Sequence, residues 1–392
     1  MTTSLAAPVP RADRLETAAV GALLAFVAAL QLSIAAAGVL LALTFACWAG
    51  AVAIRRERID VPDMFWPLAA YAAATLVSAL FSRDPAVSLV DCKQLLLFLI
   101  VPAVYRLARG ERAMTVANVI ITIGAFSAMV GLVQYALLHY DHLGRRPQGV
   151  LTHYMTYSGL LMLVTGAAAA RVIYRTEDRV WPALVMPALV VALALTFTRS
   201  AWVGACAAIA VLLVIKDRRL LALLPIAAAL FIALAPAGIS NRMWSIFDPS
   251  DPTNRDRVAM LKAGARIVRD HPLTGVGPNM IKEVYPAYRD ASAVEPVNVH
   301  LHDVPMQVAA ERGLPALGIW LWFVAVLVRD MVRMLRVSAH PSLAAGGLAA
   351  VIGMVAAGFF EYNFGDSEFL MLFLVLVTLP YAAQHAPGDR AS

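Results

Sequence analysis

The chain has 392 residues, 60% of them apolar and only 15% charged, with a mean hydropathy of +0.72. A soluble domain of this length needs far more polar surface. A soluble enzyme, a nucleic-acid binder and a disordered chain are therefore excluded, and the class is an all-α polytopic membrane protein. The formal charge of +6 becomes a question of which bilayer face the arginines occupy.

Apolar runs near the length that crosses a bilayer core, about 20 residues, fall near 16–35, 37–54, 63–81, 93–109, 113–138 and 155–174, and again near 181–198, 200–215, 219–237, 313–329, 342–360 and 368–385. The first begins near Thr17 and is too long for the apolar core of a signal peptide. Residues 182–215 carry Arg199 as their only charge. As one helix they would be about 51 Å long, against a core of about 30 Å. Two spans with a turn at Thr198–Arg199–Ser200 fit better, which puts Arg199 at a membrane face. With both termini cytoplasmic, eighteen of the 32 Lys and Arg fall on the cytoplasmic side, as the positive-inside rule expects. The expected division is residues 1–237 with nine spans, 238–312 as a folded outward loop, and 313–392 with three spans and a tail. The three cysteines, Cys47, Cys92 and Cys206, have no paired spacing, which argues against a disulfide framework or zinc site.

In the loop, Asn254 to Asp270 reads as a helix with Asn254 as its N-cap. Arg255, Lys262, Arg266 and Arg269 lie within about 60° of one another at 100° per residue, beside an apolar stripe of Val258, Leu261, Ala265 and Val268. Arg257 adjoins that stripe and is expected to point inward. The basic face suits either anionic headgroups or a phosphorylated lipid. His271–Asn279, with Gly275 and Gly277, reads first as a structural turn. His300, His302 and Asp303 follow. His-x-His can bind metal, but no further ligand cluster supports it; the other readings are a structural histidine and a base that takes a hydroxyl proton. Gly313 and Gly318 are expected to allow close helix packing. An arginine between two apolar spans is costly and marks function by default, so Arg199, whose planar fork suits phosphate oxygens, is the sharpest single residue. Residues 139–154, with Arg146, and 361–368, with Tyr362 and Asn363, place aromatic, basic and amide groups on the same face. They suit sugars or an interfacial aromatic belt.

Four stretches, taken in order, resemble the O-antigen ligase and O-antigen polymerase superfamily of bacterial envelope proteins. They are Thr196–Gly204, the run from Arg257 through His271–Gly277, His302–Gln307 with Glu311–Gly313, and Phe360–Asp366. The resemblance covers roughly residues 60–385. It implies a membrane-embedded glycosyltransferase of the C-type fold in the bacterial inner membrane, with its active site facing the periplasm. The implied donor is a glycan on undecaprenyl pyrophosphate and the implied acceptor the lipid A core; no nucleic acid is expected. The Tyr362–Asp366 ending looks ligase-like. His302 matches the family, whereas Asp303 stands where relatives often have Asn. With no aspartate pair at metal-ligand spacing, a metal-independent, inverting transfer without cofactor is expected. Arg199 and Arg266, then Arg257, would hold the pyrophosphate, and His302 would take the acceptor proton. His300, Asp303, Tyr362, Asn363 and Arg146 would contact sugar or acceptor. A polymerase that extends undecaprenyl-linked repeats is one alternative. A lipid-linked glycan flippase or transporter is another, disfavoured because the polar groups concentrate on one face rather than near the midplane.

Overall fold

A computed structural model of the chain describes residues 11–174, 179–222, 225, 229, 233 and 237–384. Among these residues the regular structure is helical, with one isolated bridge between His142 and Arg145. In chain order the helices are α1 (Arg11–Ala29), α2 (Ile34–Arg55), α3 (Phe65–Leu80), α4 (Pro85–Leu107), α5 (Glu111–Leu138), α6 (Tyr154–Tyr174), α7 (Val180–Leu195) and α8 (Arg199–Lys216). After the run near 219–237, which lies almost wholly outside the described residues, come α9 (Ala237–Trp244), α10 (Pro252–Asp270), α11 (Ile281–Tyr288), α12 (Val304–Val337), α13 (Pro341–Gly358) and α14 (Ser367–Ala382).

Seven of these, α2, α4, α5, α6, α8, α12 and α13, are long and apolar enough to cross a membrane, and α3, α7 and α14 are shorter apolar helices of 16 residues. The fold is that of a polytopic α-helical membrane protein. α1 carries Arg11, Asp13, Arg14 and Glu16 in its first turns, and Asp13 and Glu16 both bind Arg55 at the end of α2. The first hairpin is thus closed by ion pairs as well as by apolar packing.

The centre of the bundle is α6, α13 and α14, whose side chains are buried almost throughout. Small residues permit this in an environment that gives no hydrophobic drive between helices. A Cβ on Gly204 of α8 would lie 2.8 Å from the Gly353 carbonyl of α13, and one on Gly166 of α6 would lie 3.1 Å from Ala349 Cβ. Gly318 instead faces open space among the described residues, so the close packing expected of it is not seen there.

The loop has its own small core, built from Met260, Ile267, Val276, Ile281, Tyr285 and Leu301. Helix α10 starts at Pro252 rather than beyond Asn254, and its cap is Asp251, which accepts from Thr253 N (3.0 Å) and Asn254 N (3.2 Å). Its buried stripe is Asp256, Ala259, Met260, Ala263, Gly264 and Ile267, whereas Val258 is 53% exposed. Hydrophobicity alone places the stripe one step round the helix. Close approach decides otherwise: a Cβ at Gly264 would sit 2.5 Å from Met306 Cγ, so the small residues face α12.

The glycine turn is structural. Gly275 (φ +65°) lies so close to α12 that a Cβ would be 2.2 Å from the Glu311 carbonyl carbon, and Val276 N and Gly277 N donate to the Ala310 and Glu311 carbonyls (3.0 and 2.9 Å). Helix α12 bends at Gly313 (φ +82°), where a carbonyl of the turn crowds the backbone and Leu314 N donates to Pro272 O at 2.8 Å. The turn also reaches α3, through Ser78 Oγ donating to Thr274 O (2.7 Å). These bonds fix the loop on the helical bundle.

Candidate active site

The break between α7 and α8 falls at Thr196–Thr198, with Phe197 in the left-handed region (φ +54°). Trp202 Nε1 donates back across the break to Leu193 O (3.0 Å), and buried Phe197 packs with Ile239 of α9. Arg199 is therefore the first residue of α8, at a helix end, as expected. It is only 5% exposed, and its guanidinium donates to Ser245 O (2.9 Å), Ser245 Oγ (3.0 Å) and Asp251 Oδ1 (3.3 Å). The cap of α10 is thus also the counter-ion of Arg199.

Arg199 lines a cleft of about 320 Å³ together with Arg146, Arg242 and Arg257. Arg146 is stacked over the Tyr154 ring at 4.3 Å and donates from Nε to Leu143 O (3.0 Å). Arg242, on α9, lies 3.7 Å from Asp251 Oδ2. Arg257 points inward, 6.0 Å from the Phe360 ring. Among the described residues, the buried Nε groups of Arg242 and Arg257 meet no hydrogen-bond partner. Burial, then the charges of Arg199 and Arg146, push Arg242 down to about 10, and burial followed by neighbouring charge also lowers Arg146 and Arg257. All three remain cationic at neutral pH, but each is held where its charge is unfavourable. Burial also acts to raise Asp251, yet Arg199, its cap bonds and Arg242 together hold its carboxyl below the usual range. Asp256, Glu295 and Glu361 also line the cleft, but among the described residues only Asp251 lies within 4 Å of any of the four guanidiniums. An anion with several oxygens would relieve both the repulsion and the unused N–H groups.

His302 lines the same cleft. It sits at φ +50°, a strained conformation for a residue with a Cβ. Its neighbours hold it there: Leu301 N donates to Gln307 Oε1 (2.7 Å), and Asp303 caps α12 by accepting from Met306 N (2.7 Å). His302 Nδ1 lies 2.9 Å from Glu361 Oε2. Burial acts to raise the Glu361 carboxyl, but its bond to His302 and the nearby His300 and Arg257 outweigh that and hold it below the usual range. An ionised carboxylate only accepts, so His302 Nδ1 donates to Glu361 and the ring is turned with Nε2 away from that carboxylate. This is the arrangement of a histidine base oriented by a carboxylate.

A second cavity, of about 240 Å³, shares Met155, Thr198, Ser200 and Glu361 with the cleft. His300, Tyr362 and Asn363 line it. The His300 ring meets that of His302 edge-on at 4.1 Å, and burial, then the charge of His302, hold it down at about 4, so it is neutral at pH 7. Asn363 donates to Met354 O (3.1 Å), and the Tyr362 hydroxyl lies 3.4 Å from Arg312 Nη1.

Two expected residues fall elsewhere. Arg266 lines neither cavity; it is 43% exposed and bound to Asp290 Oδ2 (2.8 Å) and Tyr288 O (3.3 Å). The face of α10 that carries it turns outward once the small residues pack on α12. Asp303 lines neither cavity because its carboxylate is used as a helix cap. In their place the structure brings in Arg242 and Glu361. The first is one of nine positive charges in or at the end of the outward loop, with no pattern to single it out; the second precedes Tyr362 by one residue, yet nothing in spacing pairs it with His302, 59 residues away.

Among the described residues, His300, His302 and Glu361 each offer a ligand atom within 4.8 Å of the others. Two imidazoles and a carboxylate suit a divalent ion such as zinc. The guanidiniums of the adjoining cleft, Arg257 foremost beside Glu361, oppose a cation there.

Residues 183–321 match the family model described as O-antigen ligase. The matched segment holds Arg199, Arg242, Arg257 and His302, and ends before Glu361. No curated protein matches the chain. The match is a likeness to that family over this segment, and the apolar helices are those of a multi-pass membrane protein.

Proposed function

We propose that this protein is an O-antigen ligase that transfers a glycan from undecaprenyl pyrophosphate to the lipid A core, at the periplasmic face of the inner membrane. One observation carries the reading: four arginines converge on a cleft where, among the described residues, only Asp251 lies within ion-pair distance of any of them, beside a histidine whose ring donates to a carboxylate. Arg199, Arg242 and Arg257, with Arg146 at the rim, hold the pyrophosphate. Charge that develops on its departing oxygen meets preorganised donors in a site shielded from water. His302 Nε2 takes the proton of the acceptor hydroxyl. That oxygen forms a bond to the anomeric carbon, the bond from that carbon to the pyrophosphate oxygen breaks, and its electron pair leaves with the pyrophosphate. Attack from the side opposite the leaving group inverts the anomeric centre.

Guanidinium groups supply the leaving-group stabilisation that many glycosyltransferases draw from a metal, so the reaction is taken to be metal-independent. Chelation tests this. Transfer by purified protein should survive EDTA unchanged; loss on chelation with recovery on zinc or magnesium would instead give His300, His302 and Glu361 a metal-binding role. A deletion strain separates ligase from polymerase. Loss of all O-antigen, with lipid-linked polymer accumulating, is the expected result; lipopolysaccharide capped with a single repeat would make the protein a polymerase. Transfer in detergent, with no second compartment, separates either enzyme from a transporter.

A further inference from the structure

We infer that the smaller cavity is the subsite for the acceptor sugar, and that Asp366 reads one of its hydroxyl groups. The inference rests on the transferase reading above and adds where the second substrate sits and what selects it.

The two cavities share a wall but differ in charge. The cleft holds four arginines, whereas among the described residues no arginine or lysine lines the smaller cavity, whose acidic side chains are Glu361 and Asp366. Its remaining polar lining is hydroxyl, amide and imidazole, including Thr156, Ser158 and Asn363. A pyrophosphate entering there would meet those two acidic side chains and no arginine or lysine. A neutral ring carrying several hydroxyls meets groups that can accept and donate to it, and Phe369 and Met162 offer apolar surface for the C–H face of such a ring. Charge therefore sorts the two substrates before any finer recognition.

The stereochemistry of displacement points the same way. With the leaving group in the arginine cleft, an in-line nucleophile must come from the far side of the reacting carbon. That side is the smaller cavity, across the shared wall that bears Glu361. Glu361 holds His302, so the base lies where the two compartments meet.

Asp366 is built to stay in place. Its Oδ1 accepts from Phe369 N (2.9 Å), capping α14, and its Oδ2 accepts from the Thr156 hydroxyl (2.6 Å), which ties the end of α14 to the start of α6. A carboxylate has about four lone-pair sites. Phe369 N and the Thr156 hydroxyl use two, the neighbouring Glu368 side chain also bonds the carboxylate, and one site is left for a sugar hydroxyl. A rigid acceptor fixed by a helix cap and a neighbouring hydroxyl reads a donor without paying to order itself.

The test is steady-state kinetics of the purified full-length protein in detergent. Undecaprenyl-pyrophosphate-linked glycan and lipid A core lacking O-antigen are varied separately. Asp366→Asn keeps an oxygen for the Phe369 cap and removes the charge. It should raise the acceptor KM about tenfold, the scale of one charge-assisted hydrogen bond, and leave the donor KM within about twofold. Thr156→Val, which frees Oδ2 without changing side-chain size much, should raise the acceptor KM by a smaller factor. A raised donor KM with an unchanged acceptor KM would give the cavity to the first sugar of the donor and overturn the inference; so would a lower kcat with both KM values unchanged. Calorimetric binding of the core glycan alone separates the two levels of argument. No transfer by the wild type, with core binding still weakened by Asp366→Asn, would defeat the transferase reading and leave the subsite standing. Transfer by the wild type, with binding indifferent to Asp366→Asn, would defeat the subsite alone.

Discussion

Arginines stand at both ends of α3, and the two ends treat them differently. At its start, Arg55 binds Asp13 and Glu16, Arg106 binds Glu16 (3.3 Å) and Glu57 (3.1 Å), and Arg109 lies 3.4 Å from Asp60. At its far end, about 24 Å away for 16 residues of helix, the loop turn docks, and beyond it Arg146, Arg199, Arg242 and Arg257 line one cleft and lean chiefly on Asp251 and Glu361. The first group is balanced and closes a helical hairpin. In the second, carboxylates line the cleft but among the described residues Asp251 alone pairs with the guanidiniums, and the unpaired ones mark a place for a ligand. Counting arginines does not separate the two; counting the carboxylates within reach of each does.

The largest effects should come from the base. His302→Ala should lower transfer by about three orders of magnitude or more, and Glu361→Gln by about two, because the second leaves the ring in place but removes the anion that orients it. Both proteins should still elute as folded, membrane-extracted species on size exclusion. Near-normal turnover by either would detach the dyad from the chemistry. Next come the cleft arginines. Arg242→Gln should raise the donor KM by about tenfold to a hundredfold, the range for hydrogen bonds to a charged group, with a smaller change in the acceptor KM. Arg106→Ala at the balanced end should alter thermal stability and leave both KM values alone. If the two variants behaved alike, the contrast between the ends would be lost.

A smaller effect concerns pH. His300 is held at about 4 in the folded protein, against about 6.5 for a free histidine. Between those values the unfolded chain binds the extra proton and the folded chain does not, so stability is highest above about 6.5 and declines as pH falls toward 4. Thermal unfolding between pH 7.5 and 5 should show this slope, and His300→Asn should flatten it. A slope unchanged in that variant would assign it to another group. The smallest effect is expected at Arg266. Its partner Asp290 is kept at about 2, first by bonds to Ser292, and exposed pairs of this kind contribute little. Arg266→Ala should change transfer by less than about twofold; a large loss would return Arg266 to the pyrophosphate site.

Much of this architecture is legible in the amino-acid order because lipid imposes one simple demand: backbone polar groups must be satisfied within each segment. Apolar run length therefore locates the helices, and the length limit on 182–215 locates the break that puts Arg199 at a helix end. The inward turn of Arg257 is likewise readable from helical periodicity. Where small residues decide the packing, hydrophobicity misleads. The α10 stripe shifts toward Ala263 and Gly264 because they let α12 approach, and that shift carries Arg266 outward.

The sequence by itself determined the membrane class, the helical segments, the long loop and the residue types from which a phosphate site is made. Tertiary structure decided which of them meet. The His302–Glu361 pair joins residues 59 apart, the Arg199–Asp251 pair residues 52 apart, and Thr156–Asp366 residues 210 apart. Period and hydropathy are local quantities that repeat over a few residues. A charge balance is a property of a volume, and that volume exists only after α8, the loop and the α13–α14 connection have packed together.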